Sequence, residues 1–215
     1  GSEMCIRDSL PIKKYGTHSA LNMFDEFSMI NPGPLAEFTG FTEAEVSDLC
    51  TAYHMQMDEI KSWYDGYSFK RAQSIYSPRS VVNCMRLGEI GNYWNQTETF
   101  EALQTYIDMN FEGLKDDVLS MMAGERIPVN TASFTNDMTT FRTEDDVLTL
   151  LIHLGYLGYD CDNKCVFIPN NEIRGEYVST VAVSDWGEIS KSLKDSADTL
   201  NAIWQKRPAQ VAKGI

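Results

Sequence analysis

The chain has 215 residues, enough for one large domain or two small ones, and its 43% hydrophobic and 23% charged residues are typical of a soluble globular protein. Its net charge of −13 argues against broad nucleic-acid binding, because phosphate backbones are bound by clustered lysines and arginines. There is no apolar run near the roughly 20 residues of a membrane-spanning helix, no secretory signal and no disulfide-framework cysteine pattern. We therefore expect a cytoplasmic protein that makes no membrane contact.

The first nine residues look foreign to the protein. Gly1-Ser2 resembles the remnant of a removed tag, and residues 3–9 resemble translated sequencing-adapter sequence, a contaminant of metagenomic genes. We expect 1–9 to be a non-native scar on a truncated gene, with the native sequence beginning near Leu10.

After the turn cluster at 31–34, the pattern is that of a helical array. Thr42 and Glu45 have capping-box spacing, and the helix that follows is predicted to turn one apolar face inward: Val46, Leu49, Cys50 and Tyr53. A short helix with Ile60 and Trp63 should end at Asp65-Gly66.

Pro78 suits the first turn of a further helix, whose predicted inward residues are Val81, Val82 and Met85. Two more helices are predicted over 100–107 and 114–122, and up to about residue 110 we expect only helices.

Beyond residue 110 the pattern changes to mixed structure. Residues 127–129 read as a short strand, and Thr143 with Asp146 should cap an apolar helix. Residues 156–159 and 165–168 read as two strands of a hairpin, and Asn170 or Asn171 should then cap a helix. This order is typical of a winged-helix module, so the predicted fold class is mainly α: a helical lid-like array followed by a winged-helix-like module with a small β-hairpin.

The last predicted helix has the most regular apolar stripe. Its apolar residues recur every three or four positions: Trp186, Ile189, Leu193, Ala197, Leu200 and Trp204. Packing on a core is favoured over partner binding. The predicted divisions are a scar (1–9), a helical lid-like subdomain (10–110), a winged-helix-like module (111–183), an amphipathic C-terminal helix (184–205) and a linker or tail (206–215).

None of the common catalytic patterns is present in the sequence. It has no G-x-x-x-x-G-K-[ST], no G-x-G-x-x-G and no G-x-S-x-G, so we predict no catalytic residues and no cofactor. Cys161 and Cys165 lack a second ligand pair for zinc and read as two strand residues that face each other. His153 and the other histidines are isolated, and acid pairs such as Asp116-Asp117 read as helix caps, so no metal site is predicted.

The segment Trp63-Tyr64-Asp65-Gly66-Tyr67-Ser68-Phe69 has four aromatic residues around an Asp-Gly pair. Such a segment could stack on a ligand or clamp a turn between helices. An aromatic core is the favoured use.

Four motifs together closely resemble the AAA-ATPase-like family of gut bacteria, in which such a domain commonly precedes a PD-(D/E)XK nuclease-like domain. They are Gly40-Phe41-Thr42-Glu43, Trp63-Tyr64-Asp65-Gly66-Tyr67, Ile75-Tyr76-Ser77-Pro78-Arg79-Ser80-Val81 and Gly91-Asn92-Tyr93-Trp94. The segments 145–151 and 154–157 also look like that family. The resemblance implies only the helical lid and winged-helix end of the ATPase, because the family's phosphate-binding loop and magnesium-site strand have no counterpart here.

From this resemblance, Arg79 is a candidate to reach a nucleotide phosphate, although an exposed helical arginine paired with a carboxylate is an equal alternative. The cluster Trp63, Tyr64, Asp65, Gly66 and Tyr67 is the second candidate site.

We expect a non-catalytic fragment of an AAA-ATPase-like protein, serving contacts with other domains of the parent or with a protein partner. One alternative is a free-standing acidic interaction or inhibitor protein that mimics DNA charge. The other is a winged-helix DNA-binding module, which is disfavoured because residues 144–180 contain seven acids and only Lys164 and Arg174 as bases.

Overall fold

The structure is a computed structural model, and it describes residues 27–94, 99–109, 111–132, 134, 141–183 and 186. These form, in chain order, a 3-10 helix (Gly33–Phe38), α1 (Glu43–Tyr53), α2 (Met57–Tyr64), α3 (Pro78–Leu87), α4 (Thr99–Ile107), α5 (Leu114–Met122), β1 (Ile127–Pro128), α6 (Glu144–His153), β2 (Gly158–Asp160), β3 (Cys165–Phe167) and α7 (Asn171–Val183). The protein is therefore mainly helical with one small sheet. The predicted scar, the tail and all of the predicted C-terminal helix except Trp186 lie outside the described residues.

Local side-chain contacts set the limits of the first helices. The backbone N–H of Thr42 donates to Glu45 Oε2 (2.8 Å) and that of Glu45 donates to Thr42 Oγ1 (3.4 Å), which confirms the predicted capping box. The Thr42 hydroxyl also donates to Glu45 Oε2 (2.8 Å). Together these hydrogen bonds to the carboxylate, above all the one from the Thr42 backbone, hold the pKa of the Glu45 carboxyl below its usual value. Pro78 lies in the first turn of α3, as predicted, and α3 ends at Gly88 in the left-handed conformation.

Helices α1, α2 and α3 surround a first core. Its largest fully buried side chains are Tyr64, Tyr76 and Ile60. The prediction that Tyr53 and Val82 face inward is wrong, because their exposed fractions are 53% and 51%. Val82 lies about 100° around the helix from the buried Val81, and Tyr53 is the last residue of α1, where the chain turns away at His54.

All elements that the structure describes before residue 110 are helices, as predicted, and two isolated β-bridges connect the segments between them. Phe41 and Tyr76 exchange two backbone hydrogen bonds (3.1 and 2.9 Å), and Ile75 donates to the carbonyl of Tyr67 (2.9 Å). The Phe41–Tyr76 bridge holds the loop between α2 and α3 against the segment before α1, and the Tyr67–Ile75 bridge closes that loop on itself.

Helices α4 to α7 and the sheet enclose a second core, in which α6 is buried along nearly its whole length. Helix α4 belongs here, because Leu103 and Ile107 are fully buried among α5, α6 and α7. The predicted lid-like subdomain (10–110) includes the residues of α4. Trp186 also packs in this core, as its place in the apolar stripe predicted, and its indole N–H donates to Asp108 Oδ1 (3.1 Å).

The three strands form an antiparallel sheet in the order β1-β3-β2, with Val166 of the central strand opposite both Ile127 and Tyr159. The predicted hairpin is confirmed. The expectation that Cys161 faces Cys165 is wrong, because the partner of Cys165 in β2 is Asp160 and Cys161 lies beyond the strand end. The element order fits the winged-helix prediction, which stays a prediction.

In the part of the chain that the structure describes, none of the helices combines the length and the apolar character that crossing a bilayer demands.

Candidate functional site

Three of the four sequence motifs meet helix α7 where the two cores come together. We call this region the junction and define it as Trp63–Tyr67, Ser77–Ser80, Gly91–Trp94, Gly155 and the α7 residues Glu172 and Glu176. The fourth motif borders it through Phe41, which is bridged to Tyr76. The junction thus contains both the aromatic candidate cluster and Arg79.

The carboxylate of Glu172 is the centre of the junction. It is 1% exposed and accepts three hydrogen bonds: from the Ser80 hydroxyl (2.7 Å), the Tyr93 backbone N–H (2.8 Å) and the Trp94 backbone N–H (3.1 Å). Two of these donors belong to the loop after α3 and the third to α3 itself. One buried side chain of the second part therefore holds two segments of the first part.

Glu176 extends this arrangement by one helical turn. It lies on the same face of α7 as Glu172, is also buried, and accepts a hydrogen bond from the Asn92 side-chain amide. Burial raises the pKa of both carboxyls above their usual values, because leaving water disfavours the charged form. The proximity of Glu176 adds to the increase at Glu172.

Tyr64 fixes the same loop from the side of the first core. Its hydroxyl donates to the Gly91 carbonyl (2.9 Å) and accepts from the Gly91 N–H (3.0 Å), so both backbone groups of that residue are satisfied by one side chain. Burial raises the pKa of the Tyr64 hydroxyl, which makes it a neutral structural group. Its ring lies 6.4 Å from that of Tyr93, centre to centre.

The Asp65-Gly66 pair brings two backbones into contact. The Asn170 side-chain amide donates to the Asp65 carbonyl (2.8 Å). Gly66 has φ +121°, and a Cβ atom there would lie only 2.1 Å from the Pro169 carbonyl oxygen. Only glycine fits both the conformation and the space, so this motif glycine is explained by close packing on the segment before α7.

Tyr67 crosses from the first part to the loop between α6 and β2. Its hydroxyl donates to the Gly155 carbonyl (2.5 Å) in a buried hydrogen bond. The neighbouring Trp94 ring stands edge-on to Tyr156, with centroids 5.9 Å apart, an arrangement favoured between aromatic rings.

A cavity of about 290 Å³ lies beside these aromatic residues, lined in part by Tyr67, Pro78, Trp94, His153 and Gly155. The aromatic segment thus does two things: Tyr64 and Tyr67 are buried in the packing, as the favoured interpretation expected, and Tyr67 also forms part of a cavity wall.

Arg79 is exposed at the second position of α3 and does not line that cavity. No carboxylate within the described ranges lies at ion-pair distance from it, so the paired alternative has no support from them. Its role toward a nucleotide stays a prediction.

The described residues contain no group of three or more histidine, cysteine or acidic side chains that could hold a metal ion. The acid pair Asp116-Asp117 lies in the first turn of α5, as the capping interpretation predicted, and Asp146 completes a capping box with Thr143. His153 is buried and its ring lies 5.7 Å from that of Phe134.

The sequence analysis missed the role of Glu172 and Glu176, which it treated only as acids that oppose DNA binding. The sequence does contain a pattern that indicates this role: Glu172 and Glu176 are four residues apart and each precedes an apolar residue, Ile173 and Tyr177, of the same helix. In the structure all four side chains are buried. A glutamate pair in register with an apolar stripe indicates a buried polar contact.

Comparisons with models of protein families, with curated proteins and with solved structures found no match.

We expect Glu172→Ala to lower the free energy of unfolding by about 1–3 kcal/mol, because it leaves the Tyr93 N–H buried without an acceptor. The Trp94 N–H loses one of its two acceptors and keeps Asn92 Oδ1 (3.0 Å). Glu172→Gln should cost less than about 1 kcal/mol, since its amide oxygen can accept from both N–H groups and its amide nitrogen can donate to Ser80. Urea denaturation measures both. Equal losses for the two variants, or none for alanine, would contradict this role.

The two glutamates should also affect how stability depends on pH. Because their pKa values are raised in the folded state, their contribution is complete below the ordinary pKa of about 4.5 and is lost as pH rises through the folded values. Relative to the double variant Glu172→Gln/Glu176→Gln, the natural protein should therefore lose stability as pH increases from about 4.5. Urea denaturation measures the free energy of unfolding of both proteins at each pH. Subtracting the value of the double variant from that of the natural protein removes the contribution of the carboxylates that both share. A difference that stays constant or rises with pH would refute the assignment.

Proposed function

We propose that this chain is the non-catalytic lid and winged-helix part of an AAA-ATPase-like protein, in which it transmits contacts between the nucleotide-binding part and other domains. The single observation that carries the proposal is the junction. Residues of three of the motifs that resemble that family hold the two cores together through Glu172, Gly66 and Tyr67. A connector must move as one body to transmit a contact, and a junction of buried hydrogen bonds meets that requirement.

The sequence supports the non-catalytic part of the proposal. A triphosphate is bound by a loop of oriented backbone N–H groups and a following lysine, and no segment of the 215 residues has that pattern. Arg79 is exposed, and in the parent protein it is the residue we propose to approach a phosphate from the lid side.

The second candidate is a free-standing acidic interaction protein. It is favoured by the excess of acidic over basic residues in the part of the chain that forms the second core. Of its few cations, Arg126 pairs with Asp160 (2.8 Å) and stacks over Phe167, and Arg174 donates to the Met122 carbonyl. Both are engaged within the fold. The same observation weighs against a DNA-binding winged helix, because these cations are already committed to neighbours.

Calorimetric titration with ATP and Mg²⁺ tests the proposal. We expect no binding at micromolar concentrations and no measurable ATP hydrolysis, because the chain lacks a phosphate-binding loop. Micromolar binding, or turnover at ordinary enzyme rates, would contradict it. If binding appears, Arg79→Ala and Arg86→Ala, two exposed arginines of α3, show whether it depends on Arg79 or on general charge.

A further inference from the structure

A second cavity, of about 570 Å³, lies away from the junction, between the segment Ile30–Gly33, the turn Ser68–Arg71 and the end of β2 at Tyr159. It shares only Phe69 with the junction cavity. Its volume is within the range of about 300–1,000 Å³ that is typical of small-molecule sites.

Two cations stand at the rim of this cavity on a tight turn. Phe69 and Ala72 exchange backbone hydrogen bonds (2.7 and 3.2 Å), and the isolated Tyr67–Ile75 bridge closes the loop behind them. This turn places Lys70 and Arg71 side by side. Among the residues that the structure describes, no carboxylate lies within ion-pair distance of either one.

The wall of the cavity is unusual for so acidic a chain. The whole protein has 31 acidic residues against 18 basic ones, yet among the residues that the structure describes no aspartate or glutamate lines this cavity. Asp160 and Asp162 line an adjoining cavity that also contains Lys70. Of these two acids, Asp160 is engaged with Arg126 and with the Asn163 amide (2.8 and 2.9 Å). A concave surface with two cations and no carboxylate attracts anions.

Further donors point to the same ligand chemistry. The side-chain amide of Asn31 and the hydroxyls of Ser68 and Tyr159 line the cavity, and none of them makes a hydrogen bond within the described part of the chain. The remaining wall is apolar, with Ile30 and Phe69 as its main side chains. The cavity therefore offers a nonpolar surface next to cationic and neutral donors.

We infer that this cavity binds a small organic anion, whose apolar body lies against Ile30 and Phe69 and whose phosphate or carboxylate group lies against Lys70 and Arg71. Two cations and a few hydroxyl or amide donors suit one anionic group. They do not form the backbone cradle that a triphosphate needs. The inference does not depend on the proposed function.

An NMR titration of ¹⁵N-labelled protein with phenyl phosphate tests it. We expect the amide signals of residues 30–33 and 68–71 to shift, and the double variant Lys70→Ala/Arg71→Ala to bind about tenfold more weakly or worse. Benzoate, titrated in parallel, distinguishes a carboxylate from a phosphate head group. Inorganic phosphate supplies the charge without the apolar body and should bind much more weakly.

The matched control is Arg79→Ala/Arg86→Ala, which removes the same two positive charges from exposed positions on α3. It should keep the affinity of the natural protein. Since Lys70 and Arg71 are exposed turn residues, unshifted amide signals elsewhere verify that the first double variant is folded. The proposal is overturned by an absence of shifts, by equal losses in both double variants, or by inorganic phosphate binding as tightly as phenyl phosphate.

Discussion

A buried carboxylate must be given donors, and in this protein that requirement joins the two cores. The charged form of Glu172 has left water almost completely, which is costly unless hydrogen bonds replace the lost hydration. Its three donors come from α3 and the following loop, whereas the carboxylate belongs to α7. Neither part of the chain can satisfy this group alone, so the arrangement is formed only when both are folded and docked.

The other contacts of the junction follow from that docking. Gly66 can approach the Pro169 backbone because it has no side chain, and Tyr67 then reaches the Gly155 carbonyl. The aromatic motif that attracts attention in the sequence is largely used in this packing. Two cavities lie outside this packing: one beside the junction, next to Tyr67, and one away from it, at Lys70 and Arg71.

Sequence reasoning succeeded where the deciding contact is local. Thr42 and Glu45 are three residues apart, and so are Thr143 and Asp146, so both capping boxes could be predicted from spacing alone. The hairpin was predictable for the same reason. By contrast, Ser80 and Glu172 are separated by 92 positions, and a one-dimensional pattern carries no information on which distant donors a glutamate will meet.

The error at Val82 and the unforeseen packing partners of α4 have a related cause. Apolar character predicts burial only on average, and the direction of Val82 is set by how α3 packs on α1 and α2. Similarly, Leu103 and Ile107 show that α4 is amphipathic, but only the tertiary structure shows that its partner is α7. The candidate aromatic residues lie in the junction, and the acids that complete it could not be singled out from the sequence pattern used.

Native-state amide hydrogen exchange tests the central claim most directly, because it reports the opening free energy of each part separately. If the junction makes the two cores one cooperative unit, the slowest amides of α1 and α3, those of α6 and α7, and the Tyr93 and Trp94 amides will share one opening free energy. Two opening free energies that differ by more than about 1 kcal/mol, with the Tyr93 and Trp94 amides exchanging at the lower one, would show that the cores open independently and would contradict the account.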